Sequence, residues 1–161
     1  MEALTLVHVA LSLLGIVSGL VVVYGLLASK GLDGWTAIFL VTTIATSVTG
    51  FFFPVHQLLP SHVIGILSLI VLAIAVVARY TRRLSGGWRR TYVITAALAL
   101  YLNVFVLVVQ LFRKVPALKE LAPTQSEPPF LIAQLVVLAV FVVLTVFAAR
   151  NFRLRSLPAA A

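Results

Sequence analysis

The chain has 161 residues, of which 62% are hydrophobic and only 10% charged. Ordinary globular chains carry roughly 25% charged residues, and a soluble domain of this length would leave about a third of its chain's surface in water. The composition therefore excludes a soluble enzyme domain and predicts an integral membrane protein. The net charge of +8 does not indicate nucleic-acid binding, because the cations border the apolar runs instead of covering a soluble face. Without cysteine, disulfides and thiolate metal sites are excluded.

Five apolar runs are long enough to cross a bilayer as helices, since a spanning helix needs about 20 residues. The third run is the shortest, and it can extend to residue 80 because the long side chains of Arg79 and Tyr80 reach the membrane interface. Apart from that extension, the runs contain no Asp, Glu, Lys or Arg. The sequence thus predicts one all-α transmembrane domain over residues 1–161, with helices at about 5–28, 35–53, 62–80, 91–112 and 130–149.

The distribution of cations orients this bundle through the positive-inside rule. With the N-terminus outside, nine of the Lys and Arg residues are cytoplasmic and three are outside, which together make the chain's 12. The nine are Lys30, Arg79, Arg82, Arg83, Arg89, Arg90, Arg150, Arg153 and Arg155, and the three are Arg113, Lys114 and Lys119. We therefore predict a multi-pass protein with its N-terminus outside and its C-terminus in the cytoplasm.

The basic loop between the third and fourth helices is predicted to lie on the membrane surface. Its five arginines are Arg79, Arg82, Arg83, Arg89 and Arg90. A cation near anionic headgroups contributes about 1 kcal/mol to membrane binding. The lipid bilayer is therefore the first partner that the sequence predicts.

Polar side chains inside the runs gather at one depth. A buried polar group in hydrocarbon is costly, so these side chains should face protein or a cavity. All lie within one or two turns of the predicted outer boundary, except Asn103, which lies near the middle. The sequence predicts a histidine- and amide-lined pocket open to the extracytoplasmic side. Its predicted lining consists of Thr46, Thr49, Asn103, Gln110 and Gln134, with His8 and His62 at the same depth and His56 in the loop above.

A b-type haem is the most concrete ligand for such a pocket. Two imidazoles at one depth on neighbouring helices suit both axial positions, glycines would leave space for a flat ring, and boundary cations would pair with the propionates. The predicted residues are the axial pair His8 and His62, the glycines Gly15 and Gly65, and the cations Arg113 and Lys114. Such a protein would transfer electrons.

Other functions fit the same pattern. His8, His56 and His62 are the imidazoles available for a zinc or copper ion. The threonines at 42, 46 and 49 share one helix face and would line part of a permeation path, although an enclosed pore would need an oligomer. The remaining interpretation is an accessory or scaffold subunit, or a lipid-binding protein, in a homo-oligomer or larger membrane complex, with the polar layer joining helices. Because no nucleophile–histidine–acid set or carboxylate pair is visible, we interpret the chain as non-enzymatic.

The segment Ala97–Phe130 (ALALYLNVFVLVVQLFRKVPALKELAPTQSEPPF) resembles segments of small, uncharacterised bacterial polytopic inner-membrane proteins. The resemblance implies a bacterial plasma membrane and brings no activity with it. It includes the proline-rich loop Leu121–Phe130, which we expect to be either an ordered connector or a cap over the pocket.

Overall fold

The computed structural model describes residues 2–53 and 60–153, and these form helices joined by short turns, without a strand. The helices are α1 (Glu2–Leu27), α2 (Asp33–Gly50), α3 (Pro60–Val76), α4 (Trp88–Lys114), α5 (Pro116–Leu121) and α6 (Pro128–Asn151). A π-helical turn, Val77–Thr81, continues α3 directly. The prediction of an all-α fold is confirmed.

Four segments of the described chain are long and apolar enough to cross a membrane, by length and composition. They are Glu2–Leu27, His62–Thr81, Trp88–Lys114 and Pro128–Asn151. Helix α2, the remaining predicted span, is not among them. It has 18 residues, about 27 Å of helix, and it includes Asp33 and five threonines, which lower its hydropathy.

The helix boundaries follow local chain chemistry. Pro116 and Pro128 stand in the first turns of α5 and α6, where the missing N–H needs no partner. Val115, before the first of these prolines, is extended, as proline requires of the preceding residue. Helix α5 thus lies in the connection that the sequence predicts between the fourth and fifth helices. Helix α3 with its π turn reaches Thr81, which agrees with the predicted extension of the third helix to about residue 80.

The long helices alternate in direction, so that their ends form two layers. At one, here called the histidine end, His8 near the start of α1 bonds to Thr49 near the end of α2. His62, near the start of α3, lies against Phe51 in the same layer.

At the opposite layer, here called the arginine end, Arg79 after α3 pairs with Asp33 at the start of α2. The hydroxyl of Ser29, which follows α1, donates to the carbonyl of Asn151 at the end of α6, 2.6 Å away. Residues far apart in sequence therefore meet at each end, and α2 extends from one layer to the other alongside its neighbours.

Helix α4 is the centre of the bundle and packs against α1, α3 and α6. Of its most apolar stretch, 56% is buried, against 11% for α6, which therefore lies at the periphery. Gly19 of α1 allows a close approach at this centre. A Cβ there would stand 2.6 Å from Leu100 and 2.9 Å from Phe39, and both side chains are buried.

Candidate functional site

His8 and Thr49 form the first contact of the histidine end. Nδ1 of His8 lies 2.9 Å from Oγ1 of Thr49, and the imidazole packs edge-on against Phe53 with ring centroids 5.2 Å apart. The Thr49 hydroxyl donates to the carbonyl of Ala45, 2.8 Å away. His8 is therefore the donor in the pair, which leaves the lone pair of its neutral ring on Nε2.

Ser12 and Asn103 join α1 to α4 one turn deeper. The Ser12 hydroxyl donates to Oδ1 of Asn103 at 2.9 Å, and Nδ2 of Asn103 donates to the Ser12 carbonyl at 3.4 Å. The absent side chain of Gly15 lets these groups come close, because a Cβ there would stand 3.2 Å from the same Nδ2 and 2.9 Å from Oγ1 of Thr43. Asn103 acts here as a link between helices.

The predicted threonine face bonds mainly to its own helix. The hydroxyls of Thr42 and Thr46 donate to carbonyls four residues earlier, at 2.7 and 2.8 Å. Oγ1 of Thr43, which is buried, has no hydrogen-bond partner among the described residues. Back-bonding of this kind satisfies a hydroxyl inside an apolar helix and leaves little of the face to line a path.

Of the two predicted glutamines, Gln134 bonds to a different part of the bundle from His8. Gln134 of α6 is buried and donates through Nε2 to the carbonyl of Phe105 on α4, 3.3 Å away. Gln110 of α4 is half-buried, and its place in the pocket stays a prediction. The structure therefore brings His8, Thr49, Ser12 and Asn103 into one layer and places Gln134 in a separate contact between α4 and α6.

The b-type haem stays a prediction, and in this arrangement side chains occupy the space beside Gly15 and Gly65 that is predicted for it. A Cβ on Gly65 would lie 3.2 Å from the ring of Phe51, which fills the space predicted for the cofactor. The space beside Gly15 is filled by polar side chains of α2 and α4, as described above. The cations predicted for the propionates, Arg113 and Lys114, lie exposed at the end of α4.

The predicted metal site is only partly within the described residues, since His56 lies outside them. Over the chain that is described, no group of three or more His, Cys, Asp or Glu side chains could hold a metal ion. His62 is buried and packs against Phe51, with ring centroids 5.6 Å apart. The three-histidine site stays a prediction.

The arginine end contains a polar cluster that the sequence does not reveal. The side chain of Arg79 is only 8% exposed and pairs with Asp33. Its guanidinium lies 5.0 Å from the ring centroid of Tyr92, a fully buried residue whose hydroxyl stands 3.5 Å from Oγ1 of Thr36. The cluster ties α2, the π turn and α4 together, and turns of this type are common at functional positions.

The other arginines of the predicted membrane-surface loop remain near the surface. Arg82, Arg83 and Arg90 are exposed and Arg89 is half-buried. Arg82 stacks over Trp88, with its guanidinium 5.0 Å from the ring centroid. Arg79 departs from this group, because it points into the bundle instead of toward the headgroups.

The loop between α5 and α6 is built around the Glu127 carboxylate. It accepts hydrogen bonds from the N–H and hydroxyl of Thr124, at 3.1 and 2.8 Å, and from the N–H of Ser126 at 3.1 Å. Desolvation raises the pKa of Glu127, but these hydrogen bonds outweigh it and hold the pKa below its usual value. Gln125, in the left-handed region with φ +60°, donates from Nε2 to the carbonyl of Val109 at 2.9 Å.

A small apolar cluster fastens the same loop to the bundle. Ala122 is fully buried beside Phe112 of α4 and Phe130 of α6. The two aromatic rings meet edge to face, with centroids 5.4 Å apart. The loop is thus an ordered cap over the ends of α4 and α6.

Two shallow hollows lie side by side on this cap. The first, of about 330 Å³ and mostly polar, is lined by Phe112, Arg113, Lys119, Pro123, Thr124 and Gln125. The second, of about 310 Å³ and mostly apolar, is lined by Pro116, Lys119, Glu120 and Pro123. Neither contains His8, His62 or the residues predicted to line the pocket, apart from the cation Arg113.

Comparisons with protein-family models, with curated proteins and with solved structures find no match for this chain.

Proposed function

We propose that the protein is a non-enzymatic membrane subunit of the accessory or scaffold kind, whose polar layer joins its own helices. The observation that carries this proposal is the use of the polar side chains at the histidine end. His8 bonds to Thr49 and Ser12 bonds to Asn103, each across two helices. Amide and hydroxyl groups used in this way hold helices together in lipid and are not available to a ligand.

The proposal includes five spans, with α2 as the fifth. Its start is paired through Asp33 with Arg79 at the arginine end, and Thr49 near its end reaches His8 in the opposite layer. A helix shielded by α1 and α3 needs less apolar surface of its own than one that faces lipid on most sides. Its buried residues include three of its threonines, Thr36, Thr42 and Thr43.

The proposed orientation of the protein in the membrane rests on the distribution of its Lys and Arg residues. Five helices place the two termini on opposite sides, and the positive-inside rule then puts the arginine end in the cytoplasm. A bacterial plasma membrane, which the resemblance of segment 97–130 implies, is the setting that we propose. Cysteine accessibility at positions 34 and 124, probed from each side of sealed vesicles, tests both the orientation and the span count.

Helix α6 offers the broadest surface to a partner subunit. Leu135, Val136 and Val143 are 63%, 56% and 53% exposed, and the helix has the highest mean hydropathy of the four apolar spans, 2.9. Lipid or another transmembrane helix can cover such a face. The accessory function requires that a helix of another subunit, or of a second copy, does so in the membrane.

Photo-crosslinking in intact membranes tests this requirement. A photoreactive residue at Leu135 or Val143 should give a discrete protein adduct. The same residue at Val41 of α2, which is 65% exposed, serves as the lipid-facing control. Lipid-sized adducts alone at all three positions would contradict the accessory function.

A spectrum of the purified protein separates this proposal from the haem alternative. We expect protein from haem-replete cells to show no Soret band, either oxidised or dithionite-reduced. A Soret band that sharpens on reduction, and is lost in both His8→Ala and His62→Ala, would replace the proposal with an electron-carrying cytochrome.

A further inference from the structure

The cap between α4 and α6 gathers unpaired positive charge at the end of a membrane-spanning helix. Arg113 and Lys119 line the polar hollow, and both are exposed. The described residues contain one salt bridge, between Arg79 and Asp33 at the other end of the bundle, so neither cation has a carboxylate partner there. Two cations facing one hollow attract an anion.

Neither of the acidic residues nearby forms a salt bridge with Arg113 or Lys119 among the described residues. The Glu127 carboxylate keeps its negative charge and directs its oxygens toward three hydrogen-bond donors of its own loop. Glu120 lines the adjacent apolar hollow and not the polar one. The side chains of Thr124 and Gln125 add polar groups to the wall.

The walls of the hollow are held in place before any ligand arrives. The hydrogen bond from Gln125 to the Val109 carbonyl and the burial of Ala122 fasten the loop to α4. A preformed site loses less conformational entropy on binding than a loop that must become ordered.

We propose that this hollow binds the phosphate of an anionic phospholipid headgroup. A phospholipid headgroup and a free phosphate ion would present the same phosphate group to the hollow. Two features favour the lipid. The hollow lies at the end of α4, where headgroups are expected if the helix crosses the membrane. The mostly apolar hollow beside it, which shares Lys119 and Pro123 with it, suits the uncharged part of an amphipathic ligand.

Native mass spectrometry of the full chain in detergent tests this site. The probes are phosphatidylglycerol and phosphatidylcholine with identical acyl chains, and inorganic phosphate and glycerol 3-phosphate serve as soluble competitors. Arg113→Gln should weaken phosphatidylglycerol binding about fivefold, and Arg113→Gln with Lys119→Gln about 25-fold, as expected for about 1 kcal/mol per cation. Phosphatidylcholine binding should change less than twofold.

The chain offers a matched control beside the site. Lys114→Gln removes the same charge one residue from Arg113, but Lys114 does not line the hollow, so it should leave binding within twofold of the original. Glu120→Gln, which removes a negative charge from the rim, should strengthen binding. Circular dichroism confirms that each variant keeps its helices.

Three outcomes overturn the proposal. Equal binding of phosphatidylglycerol by the double variant and the original chain would remove the site. An equal loss in Lys114→Gln would show a diffuse field instead of a defined hollow. Displacement of the lipid by millimolar inorganic phosphate alone would assign the hollow to a soluble anion. None of these outcomes bears on the accessory function, which depends on α6.

Discussion

The pair formed by Ser12 and Asn103 is the contact on which the interpretation of the polar layer depends most directly. Two hydrogen bonds join these residues, from Ser12 Oγ to Asn103 Oδ1 at 2.9 Å and from Asn103 Nδ2 to the Ser12 carbonyl at 3.4 Å. An interhelical hydrogen bond in a membrane contributes about 0.6 kcal/mol on average. Asn103→Ala therefore removes about 1.2 kcal/mol of bonding and leaves a small cavity, which adds to the loss.

The expected loss in the free energy of unfolding depends on which hydrogen bonds each variant removes. Asn103→Ala should lower the free energy of unfolding by about 1.5–3 kcal/mol. Ser12→Ala loses only the bond made by its hydroxyl, because its carbonyl stays, and should cost about 0.5–1 kcal/mol. The double variant should show a coupling energy of about 0.6 kcal/mol, since the hydroxyl bond is counted once in each single variant.

Reversible unfolding in mixed micelles, followed by circular dichroism as sodium dodecyl sulfate is added, measures these differences. Thr145→Val is the control, because the Thr145 hydroxyl donates to its own helix, at the carbonyl of Phe141, 2.6 Å away. It should stay within about 0.5 kcal/mol of the original protein. Strict additivity of the Ser12 and Asn103 variants, or a stability gain in Asn103→Ala, would refute the assignment of this pair as a helix link.

Three further predictions use the same unfolding assay or amide exchange. Gly19→Ala should cost about 1–3 kcal/mol, because the added Cβ must displace two buried side chains, whereas Gly34→Ala, which meets nothing within 4 Å, should gain about 0.5–1 kcal/mol. Arg79→Lys should destabilise the fold by about 1 kcal/mol despite the conserved charge, because an ammonium loses the planar contact with the aromatic ring beneath. Because the folded-state pKa of Glu127 lies below its ordinary value, its stabilising effect is complete above the unfolded pKa of about 4.3 and is lost as pH falls through the folded pKa. The protection factors of amides in the cap, which are exchange rates corrected for the intrinsic effect of pH, should therefore fall in acid, and Glu127→Gln should abolish that fall.

The sequence predicts which residues share a level along the helices, because apolar run length and boundary residues determine where each helix begins and ends. This pattern predicts His8 and Thr49 at one level, and the structure joins them by a hydrogen bond. Depth alone does not determine the direction in which a side chain points around the bundle. Depth therefore predicts Gln134 in the pocket, whereas the structure has it donating to the Phe105 carbonyl on α4.

The inward position of Arg79 could not be predicted from its surroundings in the sequence. It stands in a basic run, which is typical of a surface that faces headgroups. The sequence does not show that Asp33 of α2 and the Tyr92 ring of α4 lie at the same level. One signal was available, since Asp33 is the only carboxylate between Glu2 and Glu120. A single carboxylate at the cation-rich end of a bundle could pair with any of several cations. Only the packing of α2 against the π turn determines that its partner is Arg79.

The spacing of the polar layers bears on permeation through a single chain. From the histidine end, the polar side chains of α2 reach as deep as Thr42, which stands beside Gly15, whereas the cluster at the arginine end stops at Thr36. These threonines are six residues apart, about 9 Å along α2. Between them Phe39 and Leu100, both buried, pack against Gly19, where a Cβ would stand 2.9 Å from Phe39 and 2.6 Å from Leu100. This apolar layer separates two polar clusters within the described bundle, which favours the hypothesis that a permeation path would need an oligomer.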